Sequence, residues 1–294
     1  MSGDDEKRVL LQEVSLRDGL QNETRVLEPP VRAALARRLA DAGLSRIQIG
    51  SFVNPTLVPQ MAGTGELWRV LPKEGGVRYS ALVLNERGLD QALEAGVPHV
   101  EIYVSASETH SIKNANVGVD KAVAEASRMI RRALAGRVGV TAGVMCAFGC
   151  FYEGEVTVER VLELVAALEA ESAPEIGLAD TTGMGTPDHV EKLLHALGTK
   201  VSLDRVALHL HDTRGLALAN LRAALRLGVR RFDASVAGLG GCPFIPGAPG
   251  NLSTERTVRT LASLGYETGV DGEALTRVGI DLKLLLGKTG RDNS

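Results

Sequence analysis

One rhythm along the chain restricts its fold more than any other feature. Eight short apolar or β-branched runs, at residues 9–16, 47–52, 77–83, 100–105, 138–145, 175–179, 206–210 and 232–236, recur at about 30-residue spacing. Between them lie stretches with helical grammar. Val31-Arg-Ala-Ala-Leu-Ala-Arg-Arg-Leu-Ala-Asp-Ala-Gly43, Leu89-Asp-Gln-Ala-Leu-Glu-Ala-Gly96 and Leu218-Ala-Asn-Leu-Arg-Ala-Ala-Leu-Arg-Leu-Gly228 place apolar residues three and four apart and stop at glycine. Strands that alternate with helices form a parallel sheet with right-handed crossovers, and eight such units close a TIM barrel. An open dinucleotide-binding sheet is the competing architecture, but no G-x-G-x-x-G follows the first strand. The expectation is an α/β fold, a (β/α)8 barrel in one catalytic domain over residues 1–294. Residues 1–7 are expected to be disordered, 266–294 to form a helical extension, and the Gly/Pro-rich segment after strand eight to form a lid.

Composition bounds the partners. The 294 residues are 44% hydrophobic, enough for one large core, and carry a formal net charge of −3. That balance leaves no basic footprint for nucleic acid, and 3% aromatic residues make poor base-stacking platforms. Met-Ser-Gly-Asp-Asp-Glu-Lys-Arg8 is polar and acidic, unlike a signal peptide, and no apolar run approaches the roughly 20 residues a membrane span requires. Three cysteines, Cys146, Cys150 and Cys242, are irregularly spaced, which fits reduced thiols in the cytoplasm better than a disulfide framework.

A barrel of this kind carries its chemistry at the C-terminal ends of its strands. The first strand gives way to Ser15-Leu-Arg-Asp-Gly-Leu-Gln-Asn-Glu23, where Arg17 and Asp18 precede a glycine. An ordinary surface ion pair is the bland explanation, and a position at the barrel rim argues against it. The seventh strand contains His209-Leu-His211, whose side chains point to one face. A lone buried histidine is usually a hydrogen-bonded core residue. Two adjacent imidazoles on an inward face are better explained by a shared cation. Asp18, His209 and His211 are therefore the expected metal ligands, and Asn251, after strand eight, can add a neutral oxygen. Mixed oxygen and nitrogen donors suit Mg²⁺ or Mn²⁺, with Co²⁺ or Zn²⁺ admitted by the usual affinity order. His99, His110, His189 and His195 lack such an arrangement and are expected in loops or on helix surfaces. Cys146-x-x-x-Cys150 has no second pair and is a poor structural zinc site.

Gly238-Leu-Gly-Gly-Cys-Pro-Phe-Ile-Pro-Gly-Ala-Pro-Gly-Asn251 is too rich in glycine and proline for a helix or a regular strand. It reads as a shaped loop over the barrel mouth, with Cys242 placed to react when the loop closes. The alternative is a turn with a buried thiol.

Taken together, Leu16-Arg-Asp-Gly-Leu-Gln-Asn-Glu23, Ser51-Phe-Val-Asn-Pro55, Val58-Pro-Gln-Met61, His209-Leu-His-Asp-Thr213 and the 238–251 loop resemble the 3-hydroxy-3-methylglutaryl-CoA lyase family. The similarity runs from about Leu10 to Leu286. It implies retro-Claisen cleavage of an acyl-CoA substrate, 3-hydroxy-3-methylglutaryl-CoA or a relative, to acetyl-CoA and a 3-oxo acid. It implies Asp18, His209, His211 and Asn251 as metal ligands, and Arg17 as the fixed charge opposite a thioester enolate. Cys242 and His209 are implied in proton transfer, with Asp18 an alternative base. Gln48 and Asn22 are implied beside the metal and substrate, and the assembly as a homodimer. Three positions depart from the family pattern. Gln48 stands where the family has glutamate, Thr141 where it commonly has arginine, and Gly143 where a tyrosine follows. The last two remove bulk and hydrogen-bonding capacity from the barrel interior, so the pocket is expected to be widened or re-used for a different 3-hydroxyacyl-CoA, or activity on the standard substrate to be low. A carbon–carbon bond-forming synthase shares the Arg-Asp-Gly and His-x-His elements and is the competing activity. A non-catalytic metal-binding scaffold is the third reading.

Overall fold

The structure, a computed structural model, describes residues 7–73, 75–240 and 250–288. Eight parallel strands close into a barrel in chain order: β1 (Leu10–Glu13), β2 (Arg46–Phe52), β3 (Arg78–Val83), β4 (His99–Ser105), β5 (Gly139–Met145), β6 (Glu175–Asp180), β7 (Val206–Leu210) and β8 (Arg231–Ala234). Around it run α1 (Pro29–Asp41), α2 (Thr64–Val70), α3 (Glu86–Ala95), α4 (Glu108–Ala115), α5 (Val119–Ala135), α6 (Val158–Glu169), α7 (Pro187–Gly198), α8 (Ala217–Arg226), α9 (Thr254–Ser263) and α10 (Gly272–Leu285). None of the described helices is long and apolar enough to cross a membrane.

Local chemistry sets the helix ends. Asn85, Ser107, Thr157, Thr186, Ser253 and Asp271 each cap the helix that follows by accepting a backbone N–H. At the end of α3, Gly96 adopts φ 75°, the left-handed conformation that favours glycine. The segment expected after the barrel forms α10, which buries Leu275, Val278 and Leu282 against neighbouring helices.

Strand alternation sorts side chains into two environments. Outward residues such as Val100, Ile102, Val140, Ala142, Ile176 and Leu178 are fully buried between barrel and helices, and the apolar core is there. The inward row is polar. At its N-terminal end Glu175 receives hydrogen bonds from Arg78 (2.6 and 3.0 Å), Arg46 (3.0 and 3.1 Å) and Thr141 (3.2 Å), and Arg231 lies 2.9 Å away. His99 Nε2 is 2.9 Å from Thr141 Oγ1. Thr141 is thus a hydrogen-bonding member of a cationic cluster, not a loss of polar capacity.

Two strands end earlier than expected. The first ends at Glu13 instead of residue 16, because Ser15–Gly19 closes a single π-helical turn with Gly19 N donating to Val14 O at 3.2 Å. Glu13 pins this turn. Its carboxylate accepts from Ser15 N (2.9 Å), Val236 N (2.9 Å) and Thr254 Oγ1 (2.7 Å), linking the ends of β1 and β8 to α9. Burial raises its pKa to about 7 against those three donors. The last strand ends at Ala234, and a 3-10 turn over Val236–Gly238 takes the chain across the rim. His99 and His110, expected at the surface, are buried: His99 faces the barrel interior and His110 Nδ1 lies 3.1 Å from Ser105 Oγ.

The arginine cluster makes one prediction. Burial would raise the pKa of Glu175, but hydrogen bonds from Arg78 and the charges of Arg78, Arg46 and Arg231 hold it at about 2. A depressed carboxylate contributes stability above its unfolded value and loses it as pH falls through the folded one. The Glu175→Gln variant is expected to unfold more easily in urea at pH 7 by about 3–5 kcal/mol, because three guanidinium groups lose their counter-charge. Its stability should also fall less between pH 4.5 and 2 than that of the parent. Equal urea midpoints for the two proteins at pH 7 would reject this.

Candidate metal centre and active site

The π-helical turn after β1 exists where the chain must deliver two charged neighbours to one place. Its buried Asp18 faces the barrel axis, and Arg17 donates both to Gln48 Oε1 and to Asp18 Oδ1. Gln48 faces inward because it lies two residues after inward-facing Arg46 on β2, just before a bulge where the register with β3 slips between Gln48 and Gly50. Asp18 Oδ1 also accepts from Gln21 Nε2 at 2.8 Å, and Oδ2 accepts from Asn251 Nδ2 at 2.7 Å.

Opposite Asp18, β7 delivers its histidine pair. His209 Nε2 and His211 Nε2 are 3.0 Å apart, and they lie 3.9 and 3.5 Å from Asp18 Oδ2. One donor atom from each of Asp18, His209 and His211 falls within 4.8 Å of the others, and all three residues are buried. Backbone pairing between His211 and Asn251 ties the exit of β7 to the segment after β8. His209 Nδ1 is 3.2 Å from Asp233 Oδ2. A proton on Nδ1, held by that carboxylate, leaves the Nε2 lone pair facing Asp18 and His211. Two imidazole nitrogens and a carboxylate oxygen converging in this way suit a divalent metal ion.

The charges are balanced locally. Burial opposes ionisation of Asp18, yet Arg17, His211 and His209 hold its carboxyl well below the usual carboxylate range. Burial opposes protonation of His209, and the hydrogen bond to Asp233 with the charge of Asp18 raises its pKa nonetheless. Beneath the site, Gln12 Nε2 bridges Asp233 Oδ1 (3.2 Å) and Glu101 Oε1 (3.1 Å), and Ser80 Oγ donates to Glu101 at 2.6 Å. Burial, then Asp233, raises the pKa of Glu101.

Most sequence-predicted residues meet here, with exceptions. Arg17, Asp18, His209 and His211 line one cavity of about 580 Å³ at the C-terminal mouth. Asn251 is at the site, but its Nδ2 is held by Asp18 and by Leu239 O (2.8 Å), so serving as an oxygen ligand requires a half-turn of the amide. Gln48 orients Arg17 and touches none of the three ligands. Asn22 is exposed and outside the cavity wall; its neighbour Gln21 holds Asp18 instead. Cys242 lies outside the described residues. The segment that carries it leaves from Gly240 and returns at Gly250, both anchored at the site: Asn251 N donates to Gly240 O (3.2 Å) and Asp212 N to Gly250 O (2.7 Å). Gly240 has φ +102°, and a Cβ there would sit 2.3 Å from Asn251 Nδ2 and 3.0 Å from Asp18 O. Cys146 and Cys150 are buried, and burial pushes the Cys146 thiol up to about 12, which makes it inert.

Asp233, Gln12 and Glu101 escaped the sequence reading. The available signal was an acid on each of two strands at inward register: Asp233 is two residues from Arg231, and Glu101 two from Tyr103.

An eight-stranded parallel barrel with a buried Asp/His/His set suited to a divalent metal ion and a fixed arginine at its C-terminal mouth defines a barrel enzyme. Residues 8–281 match the HMGL-like family model. The hydroxymethylglutaryl-CoA lyase of Pseudomonas mevalonii is 43% identical over 282 residues, covering 96% of this chain and 94% of the relative. An HMG-CoA lyase from Bacillus subtilis superposes with a TM-score of 0.94 at 38% identity, covering 98% of this chain and 96% of that one. An Acinetobacter baumannii HMG-CoA lyase in complex with coenzyme A and 3-methylmalate does so at 0.91 and 34%, covering 98% and 97%. The chain belongs to the HMG-CoA lyase family.

Asp233 sets the orientation of His209, so Asp233→Ala is expected to weaken Mn²⁺ binding by roughly 10–100-fold by calorimetry. In the parent, Mn²⁺ affinity should rise with pH, as the proton on His209 is lost. A variant that binds Mn²⁺ as tightly as the parent would show that the pair has no such role.

Proposed function

We propose that this protein is a divalent-metal-dependent carbon–carbon lyase that cleaves 3-hydroxy-3-methylglutaryl-CoA to acetyl-CoA and acetoacetate. The observation that carries the proposal is the convergence of Asp18, His209 and His211 on one point beside Arg17, inside the cavity at the barrel mouth. Relatives along the whole chain support it, and so does the coenzyme A bound to the A. baumannii homologue. Asp18, His209 and His211 would hold the ion, with Asn251 as fourth ligand once its amide turns. Mg²⁺ or Mn²⁺ fits a set with one carboxylate and open positions, ahead of Co²⁺ or Zn²⁺. When bound, such an ion polarises substrate oxygens and eases loss of the alcohol proton.

The remaining steps belong to the chain. Arg17 cannot lose its charge, and Gln48 and Asp18 fix its guanidinium, so it stabilises the oxygen of the departing thioester enolate without reorganising. Of the two candidate bases, Asp18 keeps carboxylate lone pairs for the alcohol proton, whereas His209, with Nε2 toward the ion and its Nδ1 proton held by Asp233, has none free. Cys242, carried between the anchored Gly240 and Gly250, delivers a proton to the enolate carbon. Arg17→Gln should lower kcat on this thioester by roughly 10²–10³ while leaving Mn²⁺ affinity within a few-fold. Chelation should abolish acetoacetate release and Mg²⁺ or Mn²⁺ restore it. Equal turnover by metal-stripped and metal-loaded protein would end the proposal.

A further inference from the structure

The floor of the catalytic cavity is a single aromatic ring laid across two residues that have no side chain. Along the sheet, Tyr103 on β4, Gly143 on β5, Gly177 on β6 and Ala207 on β7 are successive Cα partners. A Cβ at position 143 would lie 2.3 Å from Tyr103 Cε1, and one at position 177 would lie 2.2 Å from its hydroxyl oxygen and 2.8 Å from Cζ. The ring therefore spans β5 and its hydroxyl reaches β6. Two residues beyond Ala207 is His209, so the ring lies one inward layer, about 6.6 Å along the strand, below the metal ligands. Tyr103 lines the catalytic cavity together with Arg17 and His209. It also lines the small space beneath, which is bounded by Arg46, Arg78 and Glu175. Tyr103 and Asp233 line both, and the ring is the apolar part of the partition between them.

We infer that Tyr103 is a specificity-determining residue: its ring is the surface on which the substituent at C3 of the substrate rests, and it limits that substituent's size. This rests on the lyase reading for the identity of the substrate. The ligand set and Arg17 engage oxygens. The C3 substituent is apolar and needs an apolar face: Asp18 and Asp233 offer charge, Leu82, Met145 and Ala179 are apolar wall, and the Tyr103 ring is the apolar surface that also borders the space beneath. Because positions 143 and 177 are glycines, no other side chain occupies the volume of the ring. Shortening Tyr103 opens a shaft beneath the metal centre. A side chain at position 143 displaces the ring.

Binding to Mn²⁺-loaded protein separates this inference from turnover. Calorimetry with 3-hydroxy-3-methylglutarate and 3-hydroxy-3-butylglutarate gives a ratio of affinities for the parent, Tyr103→Phe, Tyr103→Leu and Tyr103→Ala. The parent and Tyr103→Phe should favour the methyl compound to within threefold of each other. Tyr103→Ala should shift the ratio at least tenfold toward the butyl compound, with Tyr103→Leu between. If Tyr103→Ala does not fold, as read by thermal unfolding, the shift in Tyr103→Leu decides. A ratio indifferent to residue 103 overturns the inference, and so does failure of both dicarboxylates to bind the loaded parent. Turnover of the two CoA thioesters is followed in parallel. A parent that discriminates the dicarboxylates but cleaves neither thioester removes the lyase reading and leaves Tyr103 as the floor. Cleavage with an unchanged ratio does the reverse.

Discussion

A closed barrel points every second side chain of eight strands at one axis, and in this protein that axis is charged. Burying charge is costly unless each group is paired and hydrogen-bonded. Everything about the site follows from how that demand is met. At the lower end three arginines surround Glu175; in the middle Gln12 joins Glu101 to Asp233; at the top Asp233 supports His209. The column of partners runs from the barrel base to the donor atoms facing the cavity. The apolar residues that would fill a typical barrel interior lie outside it, between strands and helices.

Such a network holds Arg17, Asp18 and His209 in place before any ligand arrives. Asp18 is held by Arg17, Gln21 and Asn251, and its turn is held by Glu13, which also fixes the turn after β8. Loops from β1, β7 and β8 are therefore coupled through hydrogen bonds instead of meeting by chance at the rim. Preorganised charge of this kind is what stabilises a developing enolate.

Interior positions also lean on one another across strands. At Thr141 and Gly143, the two positions from which a wider pocket is expected, neighbouring strands contribute the larger groups: three arginines surround Glu175 beside Thr141, and the Tyr103 ring lies over Gly143. Gln48, lacking the charge of glutamate, leaves Asp18 as the carboxylate partner of Arg17.

Eight repeats of strand and helix, the Arg17-Asp18 pair and the His209-x-His211 spacing are local patterns, and local pattern was enough for the barrel and for the three side chains that converge at the candidate metal centre. Periodicity of two and of 3.6 residues is written along the chain, so strand faces and helix faces can be read from it. Asp233, Gln12 and Glu101 form one chain of hydrogen bonds from three strands, and no spacing in the sequence announces that they meet. The same holds for Asn22 and Gln21: only the π-helical turn decided which of the two faces Asp18. Tyr103 is the plainest case, since its role depends on two glycines 40 and 74 positions away that become its neighbours when β4, β5 and β6 pair in register. Closure of the sheet sets those distances, because it converts separations along the chain into contacts across an axis.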